Sequence, residues 1–287
     1  MYFTRHRAVN VKPPPGTRLQ YGHSLTDALK LCLLLNESGA NPSVATGYNT
    51  FDSAESVPGQ NSTFLISALS GRGWKSGLHG PCIEFGSNDA ILGTTIPTTK
   101  TDNLTMAAWI CPTSANQLGG IISIGEENAP PPGAGYALVM GGSGGGTGNA
   151  IMLALPGFPS TTWVSLGGAL SANVWVHVAV VRSATTWTAY INGIATGTTS
   201  TTSPAAAPAA RWAVGCENLN GTSSNSFTGY LSTAMFWERA LVAAEIMQLY
   251  LEPFCFVDGP NDGWTTLAAS PPPPPATRNF LTLLGVS

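Results

Sequence analysis

Two neighbouring apolar patterns in the second half of the chain predict a group of adjacent β-strands. Residues 174–182 are almost continuously apolar, whereas residues 186–193 alternate between apolar and polar side chains. A continuous apolar run is typical of a buried strand, and an alternating run is typical of a strand with one face in solvent. Asn192-Gly193 favours a type I′ turn, because both central residues of that turn need positive φ. With residues 194–199 leading away from the turn, the pattern predicts a three-stranded antiparallel meander.

The rest of the chain carries further strand patterns and one short helical pattern. A long strand is predicted at 227–241, and a helix follows at 242–250, where Leu241, Ile246 and Leu249 share an apolar face. Turn-forming residues separate the other predicted strands, which lie at 29–35, 64–69, 82–86, 90–95, 104–111, 119–124, 135–140, 150–155, 161–166 and 211–216. Many short strands at such spacings indicate an all-β sandwich.

Several motifs on these elements resemble one known family. They are W-x-H-V-A-V-V-R at 175–182, W-T-x-Y-I-N-G at 187–193, F-x-G-Y at 227–230, W-x-R-A-L-x-x-A-E-I-x-x-L-Y at 237–250, L-T-M-A-A-W-I-C-P at 104–112 and P-C-I-E-F-G at 81–86. In this order they are similar to the laminin-G-like, concanavalin A-like jelly-roll domains, over residues 28–252. The resemblance implies an all-β fold, an antiparallel two-sheet jelly-roll sandwich with one short C-terminal helix. Because this fold hosts lectins, hydrolases and passive spacers, the resemblance alone does not fix an activity.

Val242 departs from the family pattern at the start of the predicted helix. The family often has Ser or Thr at this position, three residues before Glu245, which would complete a capping box. The Val242 side chain cannot accept a hydrogen bond, so we expect other groups to satisfy the first turn of the helix.

The composition divides the chain into an extended basic N-terminal arm (residues 1–24), a domain (25–252) and a Pro-rich C-terminal arm (253–287). The first arm has no acidic residue and contains Arg5, Arg7, Lys12 and Arg18. It is either a solvated tail or an electrostatic docking arm for an acidic partner surface. The second arm has five prolines at 271–275, which favour a stiff extended conformation. Its apolar tip is either disordered or folded back on the domain, or it inserts into a neighbouring subunit.

The composition also excludes several classes of protein. Charged residues make up 9% of the chain, against about 25% in typical soluble proteins. Residues 128–181 contain no charged side chain, but prolines and glycines interrupt them, so no apolar helix of about 20 residues fits. We expect no membrane contact. Four positive charges in the N-terminal arm supply few phosphate contacts, so we expect no nucleic-acid partner.

The ends of the chain and its cysteines indicate where it folds. The first 16 residues lack the apolar core of a secretory signal. Five cysteines (Cys32, Cys82, Cys111, Cys216 and Cys255) are an odd number at wide spacings, which favours buried free thiols over a disulfide framework. Both observations fit folding in the cytoplasm.

The sequence offers no convincing set of catalytic residues. A glycosidase of this sandwich class would need carboxylates that alternate along one strand, and none of the predicted strands has them. Glu126 and Glu127 are adjacent and are read as loop residues. Residues 141–145 match G-x-S-x-G, but no helix is predicted after them, so the context of a nucleophile elbow is missing. We therefore assign no catalytic or cofactor-binding residue and expect a protein that is not an enzyme.

Metal ligands are equally sparse. The four histidines are scattered without metal-ligand spacing, and His177 lies in the predicted buried strand, where a core histidine is expected. Laminin-G-like domains often bind calcium through loop side chains, and the resemblance implies that such a site is possible here. The only loop pairs suited to it are Asn88-Asp89 and Glu217-Asn218, and a solvated loop is the default interpretation of both. We assign no metal-binding residue.

The tryptophans divide into two groups by pattern. Trp109, Trp175 and Trp187 fall in predicted strands and are expected in the core. The pattern leaves Trp74, Trp163, Trp212 and Trp264 freer to be exposed. An exposed indole can stack on a sugar ring, as the resemblance to lectins implies, but the sequence does not show which one is exposed.

These observations favour a non-enzymatic virion structural protein of a tailed phage. It would decorate a capsid or form part of a tail or baseplate, dock to neighbouring subunits through its arms, form a homo-oligomer and present a glycan-adhesive surface. Residues 249–256 also resemble a segment that follows such domains in phage-like sequences. The alternatives are a carbohydrate-binding module of a secreted or cell-surface protein and, third, a hydrolase.

Overall fold

The structure of the protein is a computed structural model. It describes residues 11–13, 19–20, 22–35, 49–50, 62–63, 73–96, 102–125, 135–155, 162–201, 210–219 and 222–257. The strands, numbered along the chain, are β1 (Leu29–Leu33), β2 (Asn49–Thr50), β3 (Ser62–Thr63), β4 (Trp74–Gly77), β5 (Gly80–Phe85), β6 (Ile91–Ile96), β7 (Asn103–Pro112), β8 (Gly119–Ile124), β9 (Tyr136–Gly141), β10 (Ala150–Leu155), β11 (Thr162–Gly167), β12 (Val176–Ser183), β13 (Thr186–Ile191), β14 (Ile194–Ser200), β15 (Ala210–Val214), β16 (Glu217–Leu219), β17 (Thr222–Ser224) and β18 (Gly229–Trp237). One helix, α1 (Ala243–Leu251), follows β18.

Two antiparallel sheets form a sandwich. Sheet A has the strand order β14-β13-β12-β7-β18-β5-β4, with β1 also pairing β18, and sheet B has the order β11-β10-β9-β8-β15-β6. The main apolar core lies between the sheets and contains Trp187 and Phe236 from sheet A and Tyr136 and Leu138 from sheet B. The all-β, two-sheet jelly-roll sandwich with one C-terminal helix is confirmed.

The predicted meander is β12, β13 and β14. Its second turn, between β13 and β14, has Asn192 and Gly193 at φ values of 50° and 80°, as a type I′ turn requires. The other predicted strands match within a few residues, except that the one at 64–69 lies outside the described residues. The sequence patterns missed β4 and two short hairpins, formed by β2 with β3 and by β16 with β17, which carry few apolar residues.

A second apolar cluster covers the outer face of sheet A. Strand residues such as Met235 and Trp237 pack there against Ile246 and Leu249 of α1 and against Phe254, Phe256 and Val257. Residues 253–257, assigned to the C-terminal arm, therefore pack on the domain. Leu19, assigned to the N-terminal arm, is also buried and forms an antiparallel bridge with Val257. The remaining parts of both arms, residues 1–10, 14–18 and 258–287, lie outside the described residues.

Glu245 stabilises the first turn of α1 in place of a capping side chain. Its Oε2 accepts a hydrogen bond from the Val242 N–H at 3.0 Å. Arg239 donates two more hydrogen bonds, from Nη2 to Glu245 Oε1 at 2.7 Å and from Nη1 to Oε2 at 2.9 Å. Val242 makes no side-chain capping bond. The expectation that other groups satisfy this helix start is confirmed. The described part of the chain has no helix long and apolar enough to cross a membrane.

Candidate functional site

The two loop pairs considered for calcium are turn and hairpin residues. The Asp89 carboxylate is buried, and its Oδ2 accepts the Gly86 N–H at 2.7 Å, while Asn88 adopts a left-handed φ of 69°. This geometry closes the turn between β5 and β6, and the expectation of a solvated loop is wrong for Asp89. Across the described residues, no cluster of three or more His, Cys, Asp or Glu side chains has the arrangement of a metal site.

Glu217 is buried, so the expectation of a solvated loop is wrong for this residue. Its Oε2 accepts a hydrogen bond from Asn225 Nδ2 at 3.1 Å, and its Oε1 has no hydrogen-bond partner among the described residues. Burial raises the pKa of Glu217 to about 7, and the hydrogen bond from Asn225 opposes that rise. The hairpin lies against β8 at Gly120, where an added Cβ would be 2.4 Å from the Glu217 nitrogen. Glu217 is therefore a packed hairpin carboxyl that changes charge near neutral pH.

The glycine-rich segment at 141–145 has a packing role. Ser143 begins a three-residue 3₁₀ turn, and no helix follows it. Gly145 lies against Trp163, where an added Cβ would be 2.6 Å from the indole Nε1. The segment has none of the strand–turn–helix geometry of a nucleophile elbow. Glu126 and Glu127 lie outside the described residues.

His177 is the core histidine that the sequence predicts. It is 2% exposed on the outer face of sheet A, where its ring lies 5.6 Å from that of Trp109 and 6.5 Å from that of Tyr250. Burial, helped by the nearby His79, lowers the pKa of His177 to about 3. The imidazole is therefore neutral at physiological pH. All five cysteines are free thiols, and four of them are buried.

The tryptophan predictions are half right. Trp109 and Trp187 are buried as expected. Trp175 is only half-buried, because it precedes β12 instead of lying inside it, so its placement in the core is wrong. The expectation that Trp212 is freer is also wrong, because its side chain belongs to the core between the two sheets and is 4% exposed. Trp74 and Trp163 are half-buried, and Trp264 lies outside the described residues.

Trp175, Tyr230, Glu84 and Lys75 form a row across the outer face of sheet A, here called the outer strip. Tyr230 pairs with Cys111 on one side and with Glu84 on the other, and cross-strand partners point to the same face. The neighbours Val176, Ile110, Leu231 and Phe85 belong to the inner core, so alternation along each strand places the outer strip on the opposite face.

The outer strip combines aromatic faces with an ion pair. The rings of Trp175 and Tyr230 are 6.4 Å apart and tilted by 39°. The Lys75 ammonium lies 3.2 Å from Glu84 Oε2, and the two side chains are 40% and 25% exposed. Gly77 leaves room for the indole, because a Cβ there would be 3.0 Å from Trp175 Cζ2. Such a surface can hold a ligand that has an apolar face and hydroxyl groups at its rim.

Comparisons with known proteins agree with this architecture. The sequence profile of the concanavalin A-like lectin/glucanases superfamily matches residues 85–247. No curated protein matches the chain. Among solved structures, domain 4 of AbnA, a GH43 extracellular arabinanase from Geobacillus stearothermophilus in complex with arabinotriose, is similar with a TM-score of 0.53 and 18% identity. That match covers 77% of this chain and 98% of the arabinanase domain.

Two toxin domains are also similar in fold. The binding domain of Paraclostridial Mosquitocidal Protein 1 matches with a TM-score of 0.55 and 15% identity, over 80% of this chain and 53% of the toxin domain. The receptor binding domain of botulinum neurotoxin type G matches with a TM-score of 0.51 and 14% identity, over 78% of this chain and 51% of that domain. The chain thus spans about half the length of each toxin domain.

Proposed function

Because the chain belongs to the concanavalin A-like lectin/glucanases superfamily, we propose that it is a lectin-like, non-enzymatic domain that binds carbohydrate at the outer strip. The observation that carries the proposal is the half-buried Trp175–Tyr230 pair beside the Lys75–Glu84 ion pair. A pyranose or furanose ring has C–H groups that stack on an aromatic face. Its hydroxyl groups would meet the ammonium as a donor and the carboxylate as an acceptor.

Three carboxylates described above support binding over hydrolysis, because each has a structural partner. Glu84 is held by Lys75, Asp89 by the turn it closes and Glu217 by Asn225 under the hairpin. Hydrolysis of a glycosidic bond requires two carboxyl groups facing one bond, about 5–10 Å apart. The outer strip itself contains one carboxylate, that of Glu84. The sugar complex of the similar arabinanase domain adds support, since that structure contains arabinotriose.

A glycan array with the full chain tests the proposal. We expect retention of at least one glycan class and loss of about fivefold or more in affinity when Trp175→Ala removes the stacking surface, because an aromatic stack contributes on the order of 1 kcal/mol or more. The matched control is Trp163→Ala, which removes a half-buried indole on sheet B. Retention of no glycan, or equal affinity in the Trp175→Ala variant, would contradict glycan binding at this site.

We further propose that this domain is a virion structural component of a tailed phage, placed in a capsid decoration or a tail, and forms a homo-oligomer there. The likeness of residues 249–256 to phage-like sequences, the low charge of the chain and its two arms support this role. The chain should then be found in purified particles. Deletion of residues 271–287 should abolish its incorporation and leave the melting temperature of the domain unchanged. A module of a secreted or cell-surface protein would instead be absent from particles and would keep its sugar affinity without residues 271–287.

A further inference from the structure

Lys12 is a buried cation outside the outer strip. It is 7% exposed, although it lies in the N-terminal segment that the sequence predicts to be an arm. Its ammonium donates to three carbonyl oxygens, those of Leu35 at 2.9 Å, Ser232 at 2.6 Å and Pro81. These three acceptors match the three N–H groups of an ammonium. Lys12 is therefore not available to an acidic partner surface.

The carbonyl cage exists because three elements are irregular at one place. Ser232 is the extra residue of a bulge in β18, where the register against β7 shifts between Leu231 and Thr233. The pairing of β18 with β5 ends at Ile83, so Pro81 lies beyond that ladder. Leu35 has a left-handed φ of 49° after β1. Carbonyls left open by a bulge and by strand ends need donors, and the Lys12 ammonium supplies them.

The same segment holds the tip of the β4–β5 hairpin. The Lys12 N–H donates to the His79 carbonyl at 2.8 Å, and Gly80 lies against the Lys12 side chain. The tip also contacts two tryptophans, of which Trp175 belongs to the outer strip. Gly77 lies against the indole of Trp175, and the His79 ring meets that of Trp109 edge-on at 4.7 Å. The hairpin tip is thus held between Lys12 and the tryptophans.

We propose that the N-terminal segment is a strap that sets the shape of the ligand site, with Lys12 as its anchor. With Lys12 docked, the hairpin tip supports the Trp175 ring and the outer strip is formed. With Lys12 released, the tip loses the Lys12 backbone hydrogen bond and the packing of Gly80 on the Lys12 side chain, and the Trp175 ring loses part of its support. The inference rests on the proposed glycan binding and adds regulation to it. A partner that pulls on the N-terminal arm lowers the affinity for the sugar.

Hydrogen exchange and glycan titration on the full chain test the coupling. In Lys12→Ala, we expect faster amide exchange across residues 75–85 and an affinity for the array-selected glycan lower by about fivefold or more, in the range of measured couplings between sites. Exchange in β9 and β10 of sheet B should stay unchanged. The matched control, Val11→Ala, changes a neighbouring side chain that is 57% exposed and should alter neither readout.

Chemical rescue identifies the anchor group. Propylammonium replaces the atoms that Lys12→Ala removes and should restore both readouts, whereas tetramethylammonium has the charge without an N–H donor and should not. Wild-type exchange and affinity in Lys12→Ala would overturn the strap. If that variant does not fold, the test uses the wild type. Because coupling is reciprocal, saturating glycan should slow hydrogen exchange of the Lys12 amide. An unchanged exchange rate overturns the proposal. If the wild type binds no glycan, the proposed function fails, while the exchange of residues 75–85 still tests the anchor.

Discussion

The side-chain amide of Gln117 and the backbone of Thr228 exchange two hydrogen bonds. Gln117 Nε2 donates to the Thr228 carbonyl at 3.0 Å, and the Thr228 N–H donates to Gln117 Oε1 at 2.7 Å. The Gln117 backbone also exchanges hydrogen bonds with Gly148. One glutamine therefore joins the loops before β8, β10 and β18 at one end of the sandwich.

Replacing Gln117 should loosen this end of the sandwich. We expect Gln117→Ala to lower the free energy of unfolding by about 2 kcal/mol, because the Thr228 N–H loses its acceptor in a largely buried place. Denaturant unfolding measures the change. Asn116→Ala is the control. The Asn116 side chain is exposed, so its removal should lower the free energy of unfolding by less than about 0.5 kcal/mol. Equal midpoints for both variants would show that the two hydrogen bonds contribute little.

Glu217 should make stability fall as the pH rises towards neutral. Burial raises its pKa in the folded state from 4.5 to about 7. The folded protein therefore holds a proton that the unfolded chain releases, so the contribution of Glu217 is full below pH 4.5 and is lost between pH 4.5 and 7. The loss is on the order of 3 kcal/mol.

Glu217→Gln should remove this pH dependence. The variant keeps an acceptor for Asn225 and cannot ionise, so it should be more stable than the wild type at pH 8 and similar to it at pH 4. Melting temperatures across this range give the comparison. A wild-type profile in Glu217→Gln would contradict the buried carboxyl.

Completing the capping box should stabilise α1. Val242 has the extended backbone of an N-cap, and its side chain is 61% exposed and makes no capping bond. In Val242→Ser, a hydroxyl can accept the Glu245 N–H, which should raise the free energy of unfolding by about 0.5–1 kcal/mol. Val242→Ala removes the same methyl groups without adding an acceptor, so only the serine variant should gain stability in urea.

Gly120 should not tolerate a side chain. An added Cβ would lie 2.3 Å from the Cys216 carbonyl carbon. A clash with a backbone atom cannot be relieved by a side-chain rotation. We expect Gly120→Ala to cost about 1–3 kcal/mol or more and to displace the hairpin that carries Glu217. Gly146→Ala is the matched control, because its nearest neighbour would be 3.5 Å away. A crystal structure of the variant would show the displacement.

Local patterns in the sequence predict the strands well and the environment of single side chains poorly. The meander follows from alternation and an Asn-Gly turn, both of which are properties of neighbouring residues. The burial of Trp212 and the half-burial of Trp175 depend instead on which face of each sheet meets the core and on what covers the outer face of sheet A. Lys12 looks like a tail residue in sequence, and its acceptors lie 23, 69 and 220 residues away.

The candidate site was missed for the same reason. Its four residues come from four strands or their flanks, and only the sheet order brings Trp175, Tyr230 and Glu84 into one row. A signal was available in the alternation of each strand, which places Tyr230 and Glu84 opposite to core residues. The order of the strands could not be obtained from those patterns.

The bridge between Leu19 and Val257 has a mechanical consequence. In an antiparallel pair, the chain before Leu19 and the chain after Val257 leave from the same side. A force that draws the two ends of the chain apart would act first on the docked Lys12 and then on this bridge, because both contacts lie outside the two sheets. These two contacts would therefore open before the sandwich unfolds.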